Sequence, residues 1–174
     1  MVEIVPYDPG WPREFEIERD RIRTALGSFA VRIDHNGSTA VPGLAAKPVI
    51  DIQVSVARVH PIDACAGLLA DLGYVHVPHE DDERCPFFHR PKNWPHTHHI
   101  HVVESGSEEE RRTLAFRDYL RAHPSAAREY EALKQHLAAL HGGSDAESRE
   151  AYAIAKTSFI DRILTLALQP SEHH

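Results

Sequence analysis

The run VIDIQVSV at residues 49–56 alternates between apolar and polar positions from Ile50 onwards. Its even-numbered residues are aliphatic, whereas Asp51, Gln53 and Ser55 occupy the other face. A period of two predicts a β-strand, because successive side chains of a strand point to opposite faces of the sheet. The sequence therefore predicts a strand with one core face and one polar face.

Three further runs have a strand-like pattern: FAVRID, YVHVP and THHIHVVE, at residues 29–34, 74–78 and 97–104. In the first of them Phe29, Val31 and Ile33 are the alternating apolar positions. The polar, proline-bearing segment 79–95 separates the last two, and we interpret it as a long connection with a candidate hairpin around Phe87 and Phe88.

Apolar residues recur at helical spacing in five segments, at residues 8–27, 60–73, 105–124, 125–143 and 145–169. Ser107 and Glu110 have capping-box spacing at the start of the third segment. A glycine pair at 142–143 closes the fourth. The core stripe of the fifth is predicted to contain Tyr152, Phe159, Ile163 and either Leu166 or Ala167.

The order of elements is a helix, mixed strands and helices, and then three helices, which predicts an α+β fold. A length of 174 residues is typical of one domain. We therefore expect a single domain over residues 1–174, with an α/β core in 1–104 and helices in 105–170.

The formal net charge of −7 argues against binding of nucleic acid through overall electrostatic attraction. No apolar run approaches the length of a membrane span, and the first residues do not resemble a signal peptide. Two cysteines, Cys65 and Cys85, are too few for a disulfide framework, although a single bridge stays open. These features favour a cytoplasmic protein with no membrane partner.

The segment 35–54, HNGSTAVPGLAAKPVIDIQV, contains candidate phosphate chemistry. Glycine lets a backbone amide approach an oxyanion, and the hydroxyls of Ser38 and Thr39 donate hydrogen bonds. The spacing does not match a Walker A motif, and a strand-ending turn capped by hydroxyls explains the same residues. Asp51, on the polar face of the following strand, is a candidate ligand for the cation of a nucleoside triphosphate.

The segment HTHHIH at 96–101 places His99 and His101 on one strand face, a spacing used by many metal sites. It lacks the aspartate of an HxHxDH hydrolase pattern, and solvated histidines are the alternative. Arg84, Arg90 and Lys92 in the long connection are candidate partners for phosphate, or part of a solvated loop.

The motifs HNGSTAVPGLAAKPVIDI, THHIHVVE, LAFRDYLRAHP and EYEALK together resemble the GrpB family of bacterial proteins over nearly the whole chain. The resemblance implies a nucleotidyltransferase-like mixed sheet flanked by helices, with a helical C-terminal half. Some relatives of that family are fused to dephospho-CoA kinase.

In the superfamily pattern a Gly-Ser turn precedes an Asp-x-Asp/Glu strand and a third carboxylate on a later strand. Gly37 and Ser38 match the turn and Asp51 matches the first acid, whereas Gln53 departs from the second. The resemblance places His101 where the third acid would be. Such a site would bind Mg²⁺ or Mn²⁺, with Zn²⁺ as a further option.

Three functional hypotheses follow. In the leading one, a nucleotidyltransferase-like enzyme holds triphosphate with Gly37, Ser38 and Thr39, and holds a metal with Asp51 and His99 or His101. Lys47 or Arg90 would then neutralise developing charge. In the second, the protein binds a nucleotide or CoA precursor without catalysis, and in the third it is a histidine-metal hydrolase or metal-binding protein. The acceptor and the oligomeric state stay open.

Overall fold

The computed structural model describes residues 3–140 and 146–170 and has the predicted α+β fold. Its strands are β1 (Ala30–Asn36), β2 (Ile50–Val56), β3 (Val75–Val77), β4 (Phe87–Arg90) and β5 (His98–Glu104). Its helices are α1 (Trp11–Leu26), α2 (Ile62–Ala70), α3 (Glu108–Ala122), α4 (Pro124–Leu140) and α5 (Ala146–Ala167). Short 3₁₀ turns lie at Gly27–Phe29 and Ser38–Ala40.

The five strands form one mixed sheet in the order β1-β2-β5-β4-β3. Only the central pair, β2 and β5, is parallel, and its register places Asp51 beside His99 and Gln53 beside His101. On the other side of β2, the antiparallel β1 places Asn36 beside Asp51. The polar faces of the two central strands therefore meet at the middle of the sheet.

Helices α1 and α2 cover the apolar face of the sheet. Ile52, Val54 and Ile100 have no exposed surface, and they pack in one cluster with Phe15 of α1 and Leu69 of α2. Each such aliphatic side chain contributes about 1.5–3 kcal/mol by leaving water. This core fixes which face of β2 and β5 points towards the polar side.

Helices α3, α4 and α5 lie on the polar side and have a separate apolar cluster. Tyr130 of α4 stacks on Phe159 of α5 with ring centroids 5.1 Å apart, and Leu120 of α3 packs with them. Val41 and Leu44 join the cluster from the segment between β1 and β2. The three C-terminal helices are thereby attached to the glycine-serine turn.

The alternation predicted for β2 and β5 is confirmed, but the pattern predicted for β1 is wrong at its start. The pairing of β1 with β2 is irregular between Ala30 and Arg32, which is a bulge. Phe29 and Val31 are consequently about half exposed, at 48% and 53%, whereas Ala30 is buried. One extra residue in a strand is enough to turn preceding side chains to the other face.

The segment 79–95 contains a full strand, β4, instead of only a connection. Phe87 and Phe88 belong to β4, which pairs antiparallel with both β3 and β5. Along α5, Phe159 and Ile163 are buried as predicted, whereas Leu166 is 45% exposed. The predicted glycine pair at 142–143 lies outside the described residues.

Ser107 caps α3 as predicted, since its hydroxyl accepts a hydrogen bond from the Glu110 amide at 3.2 Å. Cys65 and Cys85 are both free thiols, and Cys65 is a core residue. Within residues 3–140 and 146–170, no helix is long and apolar enough to cross a membrane.

Candidate functional site

A cavity of about 720 Å³ lies between the polar side of the sheet and the C-terminal helices. This volume is within the range of small-molecule sites in proteins. Among the residues that the structure describes, five basic side chains and three carboxylates line it, although the whole chain carries a net charge of −7. The basic residues are Lys47, Arg84, Arg112, Lys134 and Lys156, and the acidic ones are Asp51, Glu108 and Glu109.

Gly37 and Asp51 are in direct contact at one end of the cavity. Gly37 has a φ of +68°, a conformation that side chains with a Cβ rarely adopt. A Cβ built on it would lie 2.4 Å from Oδ2 of Asp51 and 2.9 Å from its Cγ. The turn can therefore approach the carboxylate only because residue 37 is glycine.

Asp51 lies beside two histidines that contact each other. His99 Nδ1 lies 3.5 Å from Oδ1 of Asp51, and His99 Nε2 lies 3.2 Å from Nδ1 of His96. Desolvation raises the pKa of the Asp51 carboxyl, but the hydrogen bond with His99 and nearby positive charges outweigh it, so this pKa is lowered. Asp51 is therefore ionised at neutral pH.

Gln53 occupies the position at which the superfamily pattern has a second acid, and its side-chain carbonyl is already engaged. The hydroxyl of Thr113 donates to Oε1 at 2.6 Å, and the Asn36 amide donates to it at 3.3 Å. Gln53 is 1% exposed, and its Nε2 has no hydrogen-bond partner within the described parts of the chain. A neutral amide thus replaces a charge at the centre of the sheet.

Thr39 lies behind the turn and its hydroxyl does not point to free space. It is 1% exposed and its Oγ1 is 2.9 Å from Nε2 of His35. Burial and the charge of Arg121 lower the pKa of His35 to about 4, so the pair is neutral at physiological pH. Thr39 therefore fixes the turn, whereas Ser38 is the more exposed of the two hydroxyl residues that line the cavity.

Lys134 of α4 forms hydrogen bonds with the segment between β1 and β2. Its Nζ donates to Oγ of Ser38 at 2.9 Å and to the carbonyl of Ala45 at 2.8 Å. Burial and the charges of Lys156 and Lys47 lower the pKa of this ammonium to about 8. The same ammonium lies 4.9 Å from the ring centroid of Tyr130.

Lys47 and Lys156 flank one aromatic ring. Their Nζ atoms lie 5.9 Å and 5.7 Å from the ring centroid of Tyr152. Desolvation and the charge of Lys156 lower the pKa of Lys47. Across residues 3–140 and 146–170, neither lysine forms an ion pair with a carboxylate.

His101 lines the cavity beside Cys85, with 3.8 Å between His101 Nδ1 and the thiol sulfur. Burial lowers the pKa of His101, and burial raises the pKa of Cys85 to about 11. At pH 7 the pair is therefore a neutral imidazole and a neutral thiol. A neutral thiol is a poor nucleophile, so these side chains are better suited to contact a ligand than to attack one.

Of the basic residues predicted to meet phosphate from the long connection, Arg84 lines the cavity, whereas Arg90 and Lys92 do not. Arg90 is held elsewhere. It lies on the opposite side of the sheet, 3.2 Å from the buried carboxylate of Glu18 and 3.0 Å from His98. Strand alternation explains this, because Arg90 pairs with His98 in the register of β4 and β5, one residue away from the face of His99.

The possible metal ligands around Asp51 are suited to a cation that binds as a complex with a phosphate ligand. No group of three His, Cys, Asp or Glu side chains arranged for a metal is found in the described segments. Asp51 is a single ionised carboxylate beside His99, and magnesium sites of nucleotides commonly use one or two carboxylates with phosphate oxygens. The third hypothesis, a histidine-metal hydrolase, therefore gains no support from this geometry.

The mixed sheet with its flanking helices is a nucleotidyltransferase-like fold. The Cid1 poly(U) polymerase, solved bound to MgATP, has the same fold over 82% of this chain and 46% of its own, with a TM-score of 0.55 and 14% identity. The chain belongs to the GrpB family: the family model described as GrpB protein matches residues 1–166.

Individual relatives agree with this assignment. The crystal structure of GrpB from Enterococcus faecalis matches with a TM-score of 0.83 and 32% identity, over 95% of this chain and 97% of that one. A UPF0157 protein of Pseudomonas aeruginosa is 39% identical over 99% of this chain and 70% of its own length. A dephospho-CoA kinase of Mycolicibacterium paratuberculosis is 33% identical over 77% of this chain, which spans 39% of the kinase.

Sequence reasoning missed two cavity lysines, Lys134 and Lys156, and the hydrogen bond from Thr113 to Gln53. A signal for the lysines was present. Lys134 falls on the apolar stripe of α4, four residues after Tyr130, and Lys156 falls four residues after Tyr152 on α5. A lysine within a buried stripe is unusual enough to indicate a site.

Proposed function

We propose that this protein binds a nucleoside triphosphate in the cavity, together with a divalent cation, and transfers a nucleotidyl group from it to an acceptor. The observation that carries the proposal is the contact between Gly37 and Asp51. Because Gly37 has no Cβ, the turn that would hold the phosphates lies directly against the carboxylate that would hold their cation. The nucleotidyltransferase-like fold supports the same function.

The site residues would have distinct roles. Gly37 and Ser38 would hold the β- and γ-phosphates, and Thr39 would keep the turn in place through its bond to His35. Asp51 would hold the cation with His99 or His101, and the lowered pKa of His101 keeps its imidazole neutral, as a metal ligand requires. Lys47 would neutralise the charge that develops on the phosphates.

A bound Mg²⁺ or Mn²⁺, with Zn²⁺ as a further option, would supply Lewis-acid polarisation of the α-phosphate. In the transfer, an acceptor oxygen forms a bond to the α-phosphorus and pyrophosphate leaves. The chain would orient the triphosphate between the turn and α4, so that the departing phosphates stay among cationic groups.

Calorimetry of nucleotide binding tests this proposal. Wild-type protein is titrated with ATP in the presence of Mn²⁺, and Asp51→Asn is expected to lose the metal-dependent part of the affinity. Asp63→Asn is the matched control, because Asp63 is an exposed carboxylate of α2 that does not line the cavity. Unchanged MnATP binding in Asp51→Asn would overturn the role proposed for this carboxylate.

A second candidate function is binding of a nucleotide or CoA precursor without transfer. It is favoured by Gln53, since a buried neutral amide stands where a second metal-binding acid is expected. The two candidates are separated by incubating the protein with radiolabelled nucleoside triphosphates and Mn²⁺. Release of pyrophosphate supports transfer, whereas binding without any release supports the second candidate.

A further inference from the structure

Three lysines converge on the cavity from three different parts of the chain: Lys47 precedes β2, Lys134 lies on α4 and Lys156 lies on α5. None of them forms an ion pair with a carboxylate in the part of the chain that the structure describes. Asp51, Glu108 and Glu109 line the same cavity, but among the described residues none of them is within ion-pair distance of a lysine. Ammonium groups brought together in this way repel one another. Their convergence therefore indicates a site for an anion of several charges.

Two of the lysines lie near the same aromatic ring. Lys47 and Lys156 approach the same tyrosine, Tyr152, so their ammonium groups are no farther apart than the sum of the two ring distances. Lys134 approaches the same cavity from α4, beside Ser38. A chain of phosphates, with charge distributed along its length, matches such an arrangement.

Lys134 is held ready for an anion. Its Nζ donates two hydrogen bonds, to Ser38 and to the carbonyl of Ala45. An ammonium has three donor protons, so one stays available to a ligand. Because Lys134 is 5% exposed, little side-chain entropy is lost when an anion binds.

The central strands lack the negative charge that would attract a second cation. Gln53 is neutral, and Asp51 is the only carboxylate that the sheet contributes to the cavity. The three lysines, in contrast, supply positive charge to the same cavity. Side-chain ammonium groups can neutralise phosphates as point charges without a metal ion.

We propose that Lys47, Lys134 and Lys156 form a polyphosphate subsite that binds without a metal ion. The subsite takes ligands with three or more linked phosphates, as inorganic polyphosphate or as the tail of a nucleotide. The inference rests on the proposed function only in taking this cavity as the ligand site. It differs from that function because Asp51 and its cation are not needed.

The test is calorimetric titration of the full chain with inorganic phosphates in the presence of EDTA at low ionic strength. Tripolyphosphate is expected to bind more tightly than pyrophosphate, and pyrophosphate more tightly than orthophosphate. Lys47→Ala and Lys156→Ala are each expected to weaken tripolyphosphate binding about tenfold or more. Lys134 is not substituted in this test because it also forms hydrogen bonds with Ser38 and Ala45. Its loss would disturb the structure of the segment between β1 and β2 as well as the subsite.

The matched control is Lys92→Ala, an exposed lysine between β4 and β5 that does not line the cavity. It is expected to leave tripolyphosphate binding unchanged. Absence of tripolyphosphate binding without metal, or an equal loss of affinity in Lys92→Ala and Lys156→Ala, overturns the proposal, since the second result means unspecific attraction by surface charge.

Asp51→Asn separates this inference from the proposed function. The variant is expected to keep metal-free tripolyphosphate binding and to lose the metal dependence of ATP binding. If MnATP binds through Asp51 while tripolyphosphate does not bind, the inference fails and the proposed function stands. If tripolyphosphate binds and no nucleotide does, the proposed function fails and the subsite stands.

Discussion

Gly37 sets the distance between the phosphate-binding turn and the carboxylate. Two separate features require glycine at this position. The positive φ is a backbone conformation that other residues rarely adopt, and a Cβ would collide with the Asp51 side chain. Gly43, in the same segment, has a φ of +81° but no atom within 4 Å of the position of a Cβ. The two glycines therefore allow backbone strain and collision to be measured separately.

Gly37→Ala is expected to displace the Asp51 side chain and to abolish metal-dependent nucleotide binding. Gly43→Ala is expected to lower stability by about 1 kcal/mol through strain, while nucleotide binding stays close to that of the wild type. Both variants are compared by calorimetry with MnATP and by thermal unfolding. Wild-type affinity in Gly37→Ala would contradict the close contact between the turn and the carboxylate.

Gln53→Glu would supply the second carboxylate that the central strand lacks. Without metal, the buried charge is expected to lower the free energy of unfolding by about 1–3 kcal/mol. With Mn²⁺, the variant is expected to recover, so that the metal raises its melting temperature more than that of the wild type. The same metal response in both proteins would argue against a metal position between residues 51 and 53.

Local sequence was sufficient to predict Gly37, Ser38 and Asp51 as a group, because a turn and the strand after it are close in sequence. The two lysines Lys134 and Lys156 could not be predicted to reach them. Their positions depend on how α4 and α5 fold back over the sheet, which is a contact over about a hundred residues for Lys134 and Ser38.

Strand β1 is tied to its surroundings by a buried histidine. His35 stacks on Phe15 of α1 with ring centroids 4.8 Å apart, and its main-chain carbonyl accepts a hydrogen bond from Arg117 of α3. Its imidazole is neutral in the folded protein, with a pKa of about 4 against 6.5 for an exposed histidine, because burial and Arg121 disfavour the charged form.

The stability of the protein is expected to fall as the pH falls through this range. The unfolded chain binds the proton of His35 first, so the contribution of this residue is complete above about pH 6.5 and is lost towards pH 4. For His35 alone the loss from about pH 7 to about pH 5 is of the order of 2 kcal/mol. His35→Gln should show a shallower pH dependence in urea unfolding, and an identical slope would contradict the neutral, buried state.

At the level of elements, simple alternation predicted the central strands β2 and β5 and the edge strand β3. It failed at the start of β1, where a bulge shifts the register before Arg32, and it did not identify β4. Bulges depend on the partner strand, and β4 is only four residues long within a polar, proline-bearing segment. Neither feature has a strong local signal in the sequence.

The cavity is formed by the whole molecule, since the sheet supplies its floor and the C-terminal helices supply its walls. The side-by-side placement of Asp51 and His99 results from the parallel pairing of β2 and β5, two strands separated by α2, β3 and β4. Such a non-local pairing cannot be read from either strand alone. The GrpB resemblance, in contrast, predicted the mixed sheet and the helical C-terminal half correctly.

A ligand in this cavity is expected to stabilise sheet and helices together. MnATP at about a hundred times its dissociation constant adds about 2.7 kcal/mol, which corresponds to a rise of about 5–11 °C in melting temperature for a chain of this size. Hydrogen exchange should slow in β2 and in α5 alike. Protection limited to one of these elements would contradict a ligand that bridges them.

The central claim is that a nucleoside triphosphate and its cation bind between the Gly37 turn, Asp51 and the lysines. The most direct measurement is a crystal structure of the protein soaked with a non-hydrolysable ATP analogue and Mn²⁺, with anomalous data collected for manganese. The account predicts a manganese peak at bonding distance from the Asp51 carboxylate, with the phosphates against Ser38 and Lys134. A nucleotide bound outside the cavity, or inside it with no manganese near Asp51, would contradict the account.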